Sequence, residues 1–274
     1  MTVADREDLL RALRLLEQPG LAGRLADMAG RPVSKAISSL PDIVNKKLRG
    51  IVSDAMVHCL KVAISTLDTE SREEPSGWLP KLMTGFTGGL SGLFGLPALA
   101  LELPVTTTVM LRSIAQIARS EGENLRSARA KLACLEVFAL GGRGLRPGTD
   151  MSYYSTRAIL AKAMAEAATY LLERGVAEQT APVMMRLVST IASRFGLVVS
   201  EKVAAGAIPI IGALGGATVN MAFMDYFQNL ARGHFIIRRL ERKYGSLPVQ
   251  SLYVESLGRL ALPTAGNPRM LTQG

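Results

Sequence analysis

The chain has few residues of the types that carry nucleophilic or acid–base chemistry, and their spacing builds no familiar catalytic motif. It contains two histidines, His58 and His234, and two cysteines, Cys59 and Cys134. The histidines lie far apart and have no acidic or cysteine partners at metal-ligand intervals, so we predict no metal site. The nearest approach to a nucleophile elbow, GGLSGL around Ser91, does not have the Gly-x-Ser-x-Gly spacing. We therefore predict no catalytic residue.

The sequence also has no familiar cofactor-binding motif. The sequence has no P-loop, and its glycine-rich GGRGLRPG stretch lacks both the spacing and the preceding strand of a dinucleotide fingerprint. Both cysteines sit among apolar neighbours in helical patterns, which predicts buried, reduced thiols. We expect no cofactor and no conventional enzyme. A lipid hydrolase that uses Ser91, Glu102 or the threonines at 106–108 in a lipid-facing pocket stays open as an alternative.

Two long uncharged segments are the most informative features. The first apolar segment, residues 82–101, has 20 positions without a charge, and the second apolar segment, residues 203–224, has 22. Both exceed the roughly 18 apolar residues that can span a bilayer. They contain five and four glycines, which lower their hydrophobicity and let helices approach closely. Insertion into a bilayer, a core around a lipid-like ligand and an ordinary dry core all remain open.

Polar residues occur at the borders of these segments and within them. Glu102 follows the first segment, Asn220 lies in the second, and Asp225 follows it. Burial of such groups without partners costs several kcal/mol. We therefore expect Glu102 to pair with an arginine such as Arg112, and Asn220 to bond to the threonines at 106–108. The candidate lipid- or ligand-contacting residues are Glu102, Thr106, Arg112, Asn220, Asp225 and Arg232. Helix-packing hydrogen bonds without a ligand are the alternative.

Composition and charge point to a membrane rather than to nucleic acid. The chain is 48% hydrophobic and 5% aromatic, has a mean hydropathy of +0.22, and carries a net charge of +9. Nucleic-acid modules rarely expose so much apolar surface. Basic residues follow both segments: Arg112, Arg119, Arg126, Arg129 and Lys131 after the first, and Arg232, Arg238, Arg239, Arg242 and Lys243 after the second. Anionic lipid attracts each such group by about 1 kcal/mol, although solvated helix faces also carry scattered positive charge.

The periodicity predicts an all-α protein, a multi-helix bundle with two glycine-rich apolar helical hairpins. We expect an amphipathic helix at 5–17, a long interrupted helix at 34–67, a helix after the first segment with Pro104 near its first turn, helices at 123–140, 152–173 and 179–202, and a helix after the second segment that ends basic. The predicted domains are amphipathic N-terminal helices at 1–33, a helical domain at 34–245 and a loosely ordered tail at 246–274. The N-terminus has no secretory-signal pattern, so we expect a cytoplasmic start.

Two stretches resemble the EcsC protein family over about residues 50–245. They are GLFGLPALALELPVTTTVMLRSIAQIARSEGEN and IPIIGALGGATVNMAFMDYFQNLARGHFIIRRLERKYG, with a Gly-Leu-Pro turn at 95–97 and a Pro-Ile-Ile-Gly turn at 209–212. The family is mainly bacterial and is named after a gene beside an ABC transporter operon. The resemblance implies a helical architecture and an envelope-linked context rather than a reaction. It places Glu102 where members usually have an acidic residue after the first turn.

The sequence thus favours a non-enzymatic, membrane-associated protein on the cytoplasmic side of the inner membrane, peripheral or partly inserted. Its expected partner is an anionic membrane lipid or a hydrophobic ligand, and not nucleic acid. Two further hypotheses stay open. One is a soluble carrier of a lipid or another hydrophobic ligand. The other is an accessory protein of an ABC-type transporter, with an integral membrane protein as its partner.

Overall fold

The computed structural model describes residues 1–17, 19–21, 23–25, 42–67, 95–142, 153–174, 181–206 and 216–261. These ranges contain eight helices of at least 13 residues and no strand, which confirms the all-α prediction. The predicted glycine-rich hairpins fall mostly outside the described residues, because the ranges omit 82–94 and 207–215. The helices are α1 Val3–Leu16, α2 Asp42–Thr66, α3 Gly95–Ser120, α4 Ala128–Leu140, α5 Tyr153–Arg174, α6 Pro182–Gly206, α7 Gly216–Tyr244 and α8 Ser246–Ala261.

The amphipathic helix α1 starts at a capped N-terminus. The Thr2 side chain accepts a hydrogen bond from the Asp5 backbone N–H at 3.2 Å, which satisfies one of the unpaired donors of the first turn. The Asp5 carboxylate also lies near the positive end of the helix dipole. One face of α1 is buried, through Leu9, Leu13 and Leu16. The predicted amphipathic helix is therefore confirmed.

Helix α1 packs on the body of the protein, against α7. Gly233 makes the close approach possible, since a Cβ there would lie 2.6 Å from Leu16 Cγ and 3.1 Å from the Ala12 carbonyl oxygen. Any larger side chain at this position has to push the two helices apart. The apolar face of α1 is thus covered by protein.

Helix α4 is the centre of the bundle. Every residue from Ala130 to Gly142 is buried, as expected of a helix that is apolar on nearly all sides. Its Phe138 ring packs edge-on against Phe195 of α6, with centroids 5.1 Å apart, and lies 5.6 Å from Phe227 of α7. Aromatic contacts of this kind add to the energy of area burial.

Pro104 does not lie where we predicted it. It sits in the interior of α3, well beyond the first turn of Gly95–Ser120. Proline removes one backbone hydrogen bond from a helix interior. The hydroxyls of Thr107 and Thr108 donate to the carbonyls of Leu103 and Pro104, both at 2.7 Å. These two threonines are therefore satisfied within their own helix.

The segment after Gly245 is a helix at Ser246–Ala261, where we predicted a loosely ordered tail. Pro248 suggests irregular structure in the sequence, but it lies in the first turn, where proline is tolerated. Tyr253 is fully buried, and its hydroxyl donates to Glu17 Oε1 at 2.6 Å. Residues 262–274 of the predicted tail lie outside the described part of the chain.

Helices α2, α3 and α7 run in the same direction. Gln228 Nε2 of α7 donates to Ser113 Oγ of α3 at 3.0 Å, and ten residues later Arg238 reaches Glu123, just after α3. Arg119 at the end of α3 donates to the Leu67 carbonyl, just after α2, at 2.8 Å. The amino-terminal ends of these three helices therefore lie at one end of the bundle.

Helix α6 runs in the opposite direction. Its Phe195 lies beside Phe227 of α7, with centroids 5.5 Å apart. Seven residues later, Lys202 reaches Glu102 near the start of α3. The end of α6 therefore meets the starts of α2, α3 and α7.

Candidate functional site at the apolar end

We call this meeting point the apolar end, because both apolar segments join the described helices there. The first apolar segment leads into α3, and the second connects α6 to α7. Their parts at 82–94 and 207–215 lie outside the described residues. The site is therefore built from the helix ends that hold the two segments.

A buried ion pair joins these helix ends. Lys202 Nζ donates to Glu102 Oε1 at 2.7 Å, and each side chain is 7% exposed. The ammonium group also lies 5.0 Å from the centre of the Phe223 ring. Glu102 directly follows the first apolar segment and Lys202 directly precedes the second. One interaction thus links the bases of both segments.

We predicted that Glu102 pairs with an arginine such as Arg112, and this prediction is wrong, because its partner is Lys202. Arg112 is exposed and lies ten residues farther along α3, which is about 15 Å at the rise of an α-helix. An arginine that far along the same helix does not reach Glu102. Removal of either charge of a buried pair leaves the other uncompensated, so Glu102 and Lys202 depend on each other.

Asn220 lies one turn before Phe223 on α7. Its side-chain oxygen is buried and accepts no hydrogen bond from the described residues. The predicted bond to the threonines at 106–108 is wrong for this oxygen, because the Thr107 and Thr108 hydroxyls donate within α3. A buried acceptor left unsatisfied costs about 1–3 kcal/mol. This oxygen is therefore a buried acceptor at the apolar end that has no donor among the described residues.

Large apolar side chains are exposed around the same helix ends. Leu101 is 77% exposed, Val105, one turn later on α3, is 36% exposed, and Met221 on α7 is 48% exposed. Ile43, in the first turn of the described α2, is 66% exposed. Single exposed apolar residues are common on protein surfaces. Met1, Val3, Leu247 and Val254 are exposed near the other end of the bundle. What distinguishes this group is its position where two uncharged segments meet the bundle.

Positive charge accompanies this apolar surface. Lys46, Lys47 and Arg49 follow Ile43 on α2 and are exposed. Apolar residues beside lysine and arginine are typical of helices that lie at a membrane interface.

The other candidate contact residues are spread along the helices. Thr106 is partly buried one turn after Glu102, and Asp225 is exposed on α7. Arg232, in the middle of α7, donates to Asn229 Oδ1 at 3.0 Å. The structure therefore brings Glu102 and Asn220 to the apolar end and leaves Arg112 and Arg232 farther away.

The basic residues that end α7 lie at the opposite end, which we call the charged end. Arg238 pairs with Glu123 at 2.7 Å, Arg239 with Asp8 at 2.6 Å, and Lys243 with Asp5 at 2.7 Å; Arg242 also pairs with Glu123. From the sequence, we expected anionic lipid to attract these cations, with a solvated helix face as the alternative. In the structure they bind acidic groups that fasten α1 and the turn after α3 to α7.

Glu123 is the acidic centre of the charged end. Burial by itself pushes the pKa of this carboxyl upward. The hydrogen bond from Arg238 and the charges of Arg238 and Arg242 outweigh burial and hold the pKa below its ordinary value. The carboxylate form of Glu123 is therefore part of the fold.

A buried polar network lies between the two ends, and the sequence did not predict it. Tyr153 Oη and His234 Nδ1 are 2.9 Å apart, and His234 Nε2 is 3.6 Å from Glu136 Oε2. Arg157 binds both carboxylate oxygens of Glu241, at 2.7 and 3.0 Å. The one sequence signal was Glu136, a lone acid in the apolar run of α4.

Burial keeps His234 and Tyr153 of this network neutral near pH 7 and disfavours the charged form of Glu136. It lowers the pKa of His234 well below its ordinary value and raises the pKa of Glu136 and of Tyr153. A neutral histidine and a protonated phenol provide packing and a hydrogen bond in the interior.

The cysteines are buried and free, as predicted. Burial raises the pKa of Cys59 and of Cys134 to about 12, so both are protonated and unreactive near neutral pH. In the described ranges no group of three or more His, Cys, Asp or Glu side chains is placed to hold a metal ion.

Helix length and hydropathy give a weak membrane signal among the described helices. One stretch, Pro182–Ala204 in α6, is long and apolar enough to cross a bilayer, but half of its most apolar window is buried inside the protein. Core helices of soluble proteins have the same length and hydropathy.

Together, the fold and site define an all-α bundle in which two uncharged segments are joined at their bases by a buried ion pair. A sequence model of the EcsC protein family matches residues 6–240, and the chain belongs to this family. The match begins within α1 and ends in the last turns of α7. Searches of curated proteins and of solved structures give no significant match.

Proposed function

We propose that the protein is a non-enzymatic, membrane-associated protein whose apolar end contacts an anionic lipid bilayer. The observation that carries this proposal is the exposure of Ile43, Leu101 and Met221 where both uncharged segments meet the bundle. On this proposal the bilayer removes these side chains and the two segments from water. Apolar burial contributes about 25 cal/mol per Å².

Charge supports an anionic surface as the partner. Lys46, Lys47 and Arg49 are exposed beside Ile43, and each contributes about 1 kcal/mol near anionic lipid. Three such charges by themselves bind an anionic membrane only weakly. Stable association needs a second contribution, and on this proposal apolar contact from the two segments supplies it. The charged end, about 27 Å from Asn220 along α7, faces away from the lipid.

The ion pair gives the two segments a common base. Glu102 and Lys202 hold the start of α3 against the end of α6, so the described ends of both segments lie at one place. On this proposal, both segments contact the same membrane surface. The proposed location is the cytoplasmic side of the inner membrane, with the protein peripheral or partly inserted. The buried oxygen of Asn220 is available to a headgroup donor.

Vesicle flotation of the full chain tests the proposal. The variant Lys46→Glu/Lys47→Glu/Arg49→Glu is compared with Arg126→Glu/Lys162→Glu/Arg174→Glu, which reverses three exposed charges elsewhere. We expect the wild type and the control to float with phosphatidylglycerol-containing vesicles, and the first variant to lose about 100-fold in affinity.

Three outcomes contradict the proposal: no flotation of the wild type, equal binding to neutral and anionic vesicles, or equal loss in both triple variants. In the first case, a requirement for an integral membrane partner, such as an ABC-type transporter, becomes the better explanation of the exposed apolar end. Retention of a stoichiometric lipid by the detergent-free protein would instead favour a carrier.

A further inference from the structure

A cleft of about 540 Å³ lies beside the buried network, between α4, α5, the end of α7 and the start of α8. Small-molecule sites in proteins usually have volumes of about 300–1,000 Å³. The cleft is lined by Glu241 of α7, which is 21 residues from Asn220, or about 32 Å along the helix. The cleft is therefore separate from the apolar end, and a ligand can bind in it whether or not the apolar end contacts lipid.

Three arginines from three helices line the cleft: Arg129 of α4, Arg157 of α5 and Arg238 of α7. Arg157 is neutralised by Glu241, and Arg238 is paired with Glu123. Arg129 is exposed, and no ion pair or hydrogen bond joins its side chain to the part of the chain that the structure describes. The cleft thus offers a cation that no acid in the described ranges compensates.

Two carboxyls, from Glu136 and Glu241, share the cleft with the three arginines. Glu136 is 5% exposed and lies 3.9 Å from Arg157. Burial raises the pKa of Glu136 despite that arginine, which favours the uncharged form. The lining has three arginines against two glutamates, so the cleft has net positive character even with Glu136 ionised.

The α5 wall of the cleft also carries small apolar residues. Ala158, Ala161 and Ala165 follow one face of α5 at intervals of three and four residues, and Met164 lies beside them. An outward face of a surface helix is normally polar. Here, short side chains leave a slot beside the arginines that suits a narrow apolar group.

We propose that this cleft binds a single-chain amphipathic anion, with its carboxylate or phosphate at Arg129 and its alkyl chain along Ala158, Ala161 and Ala165. A bidentate contact to a planar or tetrahedral anion is a geometry that arginine favours. The alkyl chain gains stabilisation by leaving water. Fatty acids and alkyl phosphates share this chemistry and differ in the headgroup.

Isothermal titration calorimetry tests the proposal with decanoate and decyl phosphate, each below its micelle concentration, against the full chain. Inorganic phosphate and decyltrimethylammonium serve as probes that lack the chain or carry the opposite charge. We expect at least one of the two anionic amphiphiles to bind with unit stoichiometry, and both control probes to bind at least tenfold more weakly. The tighter of the two identifies the headgroup.

Two variants place the binding in the cleft. Arg129→Glu reverses the uncompensated cation, and Ala161→Phe fills the slot; each should weaken binding at least tenfold. The matched controls are Arg126→Glu and Ile159→Phe, both exposed and outside the cleft. Thermal melting checks that all four variants fold, and a variant that melts early is replaced by Arg129→Gln or Ala165→Leu.

The proposal is overturned if neither anionic amphiphile binds, if decyltrimethylammonium binds as well as they do, or if the control variants lose as much affinity. The triple variant Lys46→Glu/Lys47→Glu/Arg49→Glu should keep full decanoate or decyl phosphate binding. Failure of vesicle flotation and failure of cleft binding are thus separate results.

Discussion

The two ends of the bundle use charge in opposite ways, although α3 and α7 run through both. At the apolar end, one buried ion pair, Glu102 with Lys202, stands among exposed apolar side chains. At the charged end, Arg238, Arg239, Arg242 and Lys243 each pair with an acid of α1 or of the turn after α3. Closeness in sequence between an apolar segment and a basic stretch therefore does not mean closeness in space. A helix of 29 residues such as α7 separates them by tens of ångströms.

The largest effect is expected at the apolar end. Lys202→Met leaves the Glu102 carboxylate buried without a partner, which should lower the free energy of unfolding by about 3–5 kcal/mol. Urea denaturation measures it. The double variant Glu102→Gln/Lys202→Met removes both charges and should recover most of the loss. If the double variant is as unstable as the sum of the two single variants, the pair is not coupled.

A smaller loss of stability is expected at the charged end, because several ion pairs hold the helices together there. Glu123→Gln removes the charge that Arg238 and Arg242 bind, and should lower the free energy of unfolding by about 1.5 kcal/mol near neutral pH. Because the pKa of Glu123 is lowered in the fold, its contribution is present above about pH 4.3 and is lost as the pH falls through the folded-state value.

The difference between wild type and Glu123→Gln in urea denaturation should therefore shrink below about pH 4. A difference that stays constant down to pH 3 contradicts the role of the ionised carboxylate. Arg126→Glu, which changes an exposed charge near the same turn, is the control and should have little effect.

Between the two ends, His234 makes the fold sensitive to mild acid. Its pKa is lowered by burial, so below the ordinary histidine value of about 6.5 the unfolded chain takes up a proton that the native state does not. Stability due to this residue is therefore lost as the pH falls from about 6.5 toward the folded-state pKa, by up to about 1.4 kcal/mol per pH unit.

The measurement is urea denaturation of wild type and His234→Gln at pH 7.5, 6.5 and 5.5. Glu136 changes stability in the opposite direction, because its pKa is raised, so the comparison uses the difference between the two proteins. An equal pH slope in both proteins contradicts the assignment to His234.

The smallest change in stability is expected for the exposed apolar side chains. Leu101→Ser/Met221→Ser alters two residues that are 77% and 48% exposed, so the free energy of unfolding should change by less than about 0.5 kcal/mol. Vesicle affinity should still fall at least several-fold, since the lost contacts are with lipid. Loss of stability without loss of vesicle binding would contradict lipid contact and show that these side chains stabilise the fold instead.

Local periodicity was enough to predict most helices. The expected helices at 5–17 and 152–173 correspond to Val3–Leu16 and Tyr153–Arg174, because apolar spacing and capping are properties of short stretches. Helix α8 was missed because Pro248 was interpreted without its position in the first turn.

The candidate site was only partly predictable. The cost of burying a polar group singled out Glu102 and Asn220 from sequence alone. The partner of Glu102 is 100 residues away on a helix that runs in the opposite direction, so local spacing does not reveal it. Local spacing also does not reveal the network of His234, Tyr153 and Glu136, because these residues come from three helices.

A fluorescent label at position 101 tests most directly whether the apolar end meets lipid. Cys59 and Cys134 are buried and protonated near neutral pH, so Leu101→Cys offers one reactive thiol for an environment-sensitive dye. Leu172→Cys on α5 is the matched control, since Leu172 is 74% exposed and Leu101 is 77% exposed. With phosphatidylglycerol-containing vesicles, the emission of the label at position 101 should shift to the blue while that at 172 stays unchanged. No shift at 101, or equal shifts at both positions, would contradict lipid contact through the apolar end.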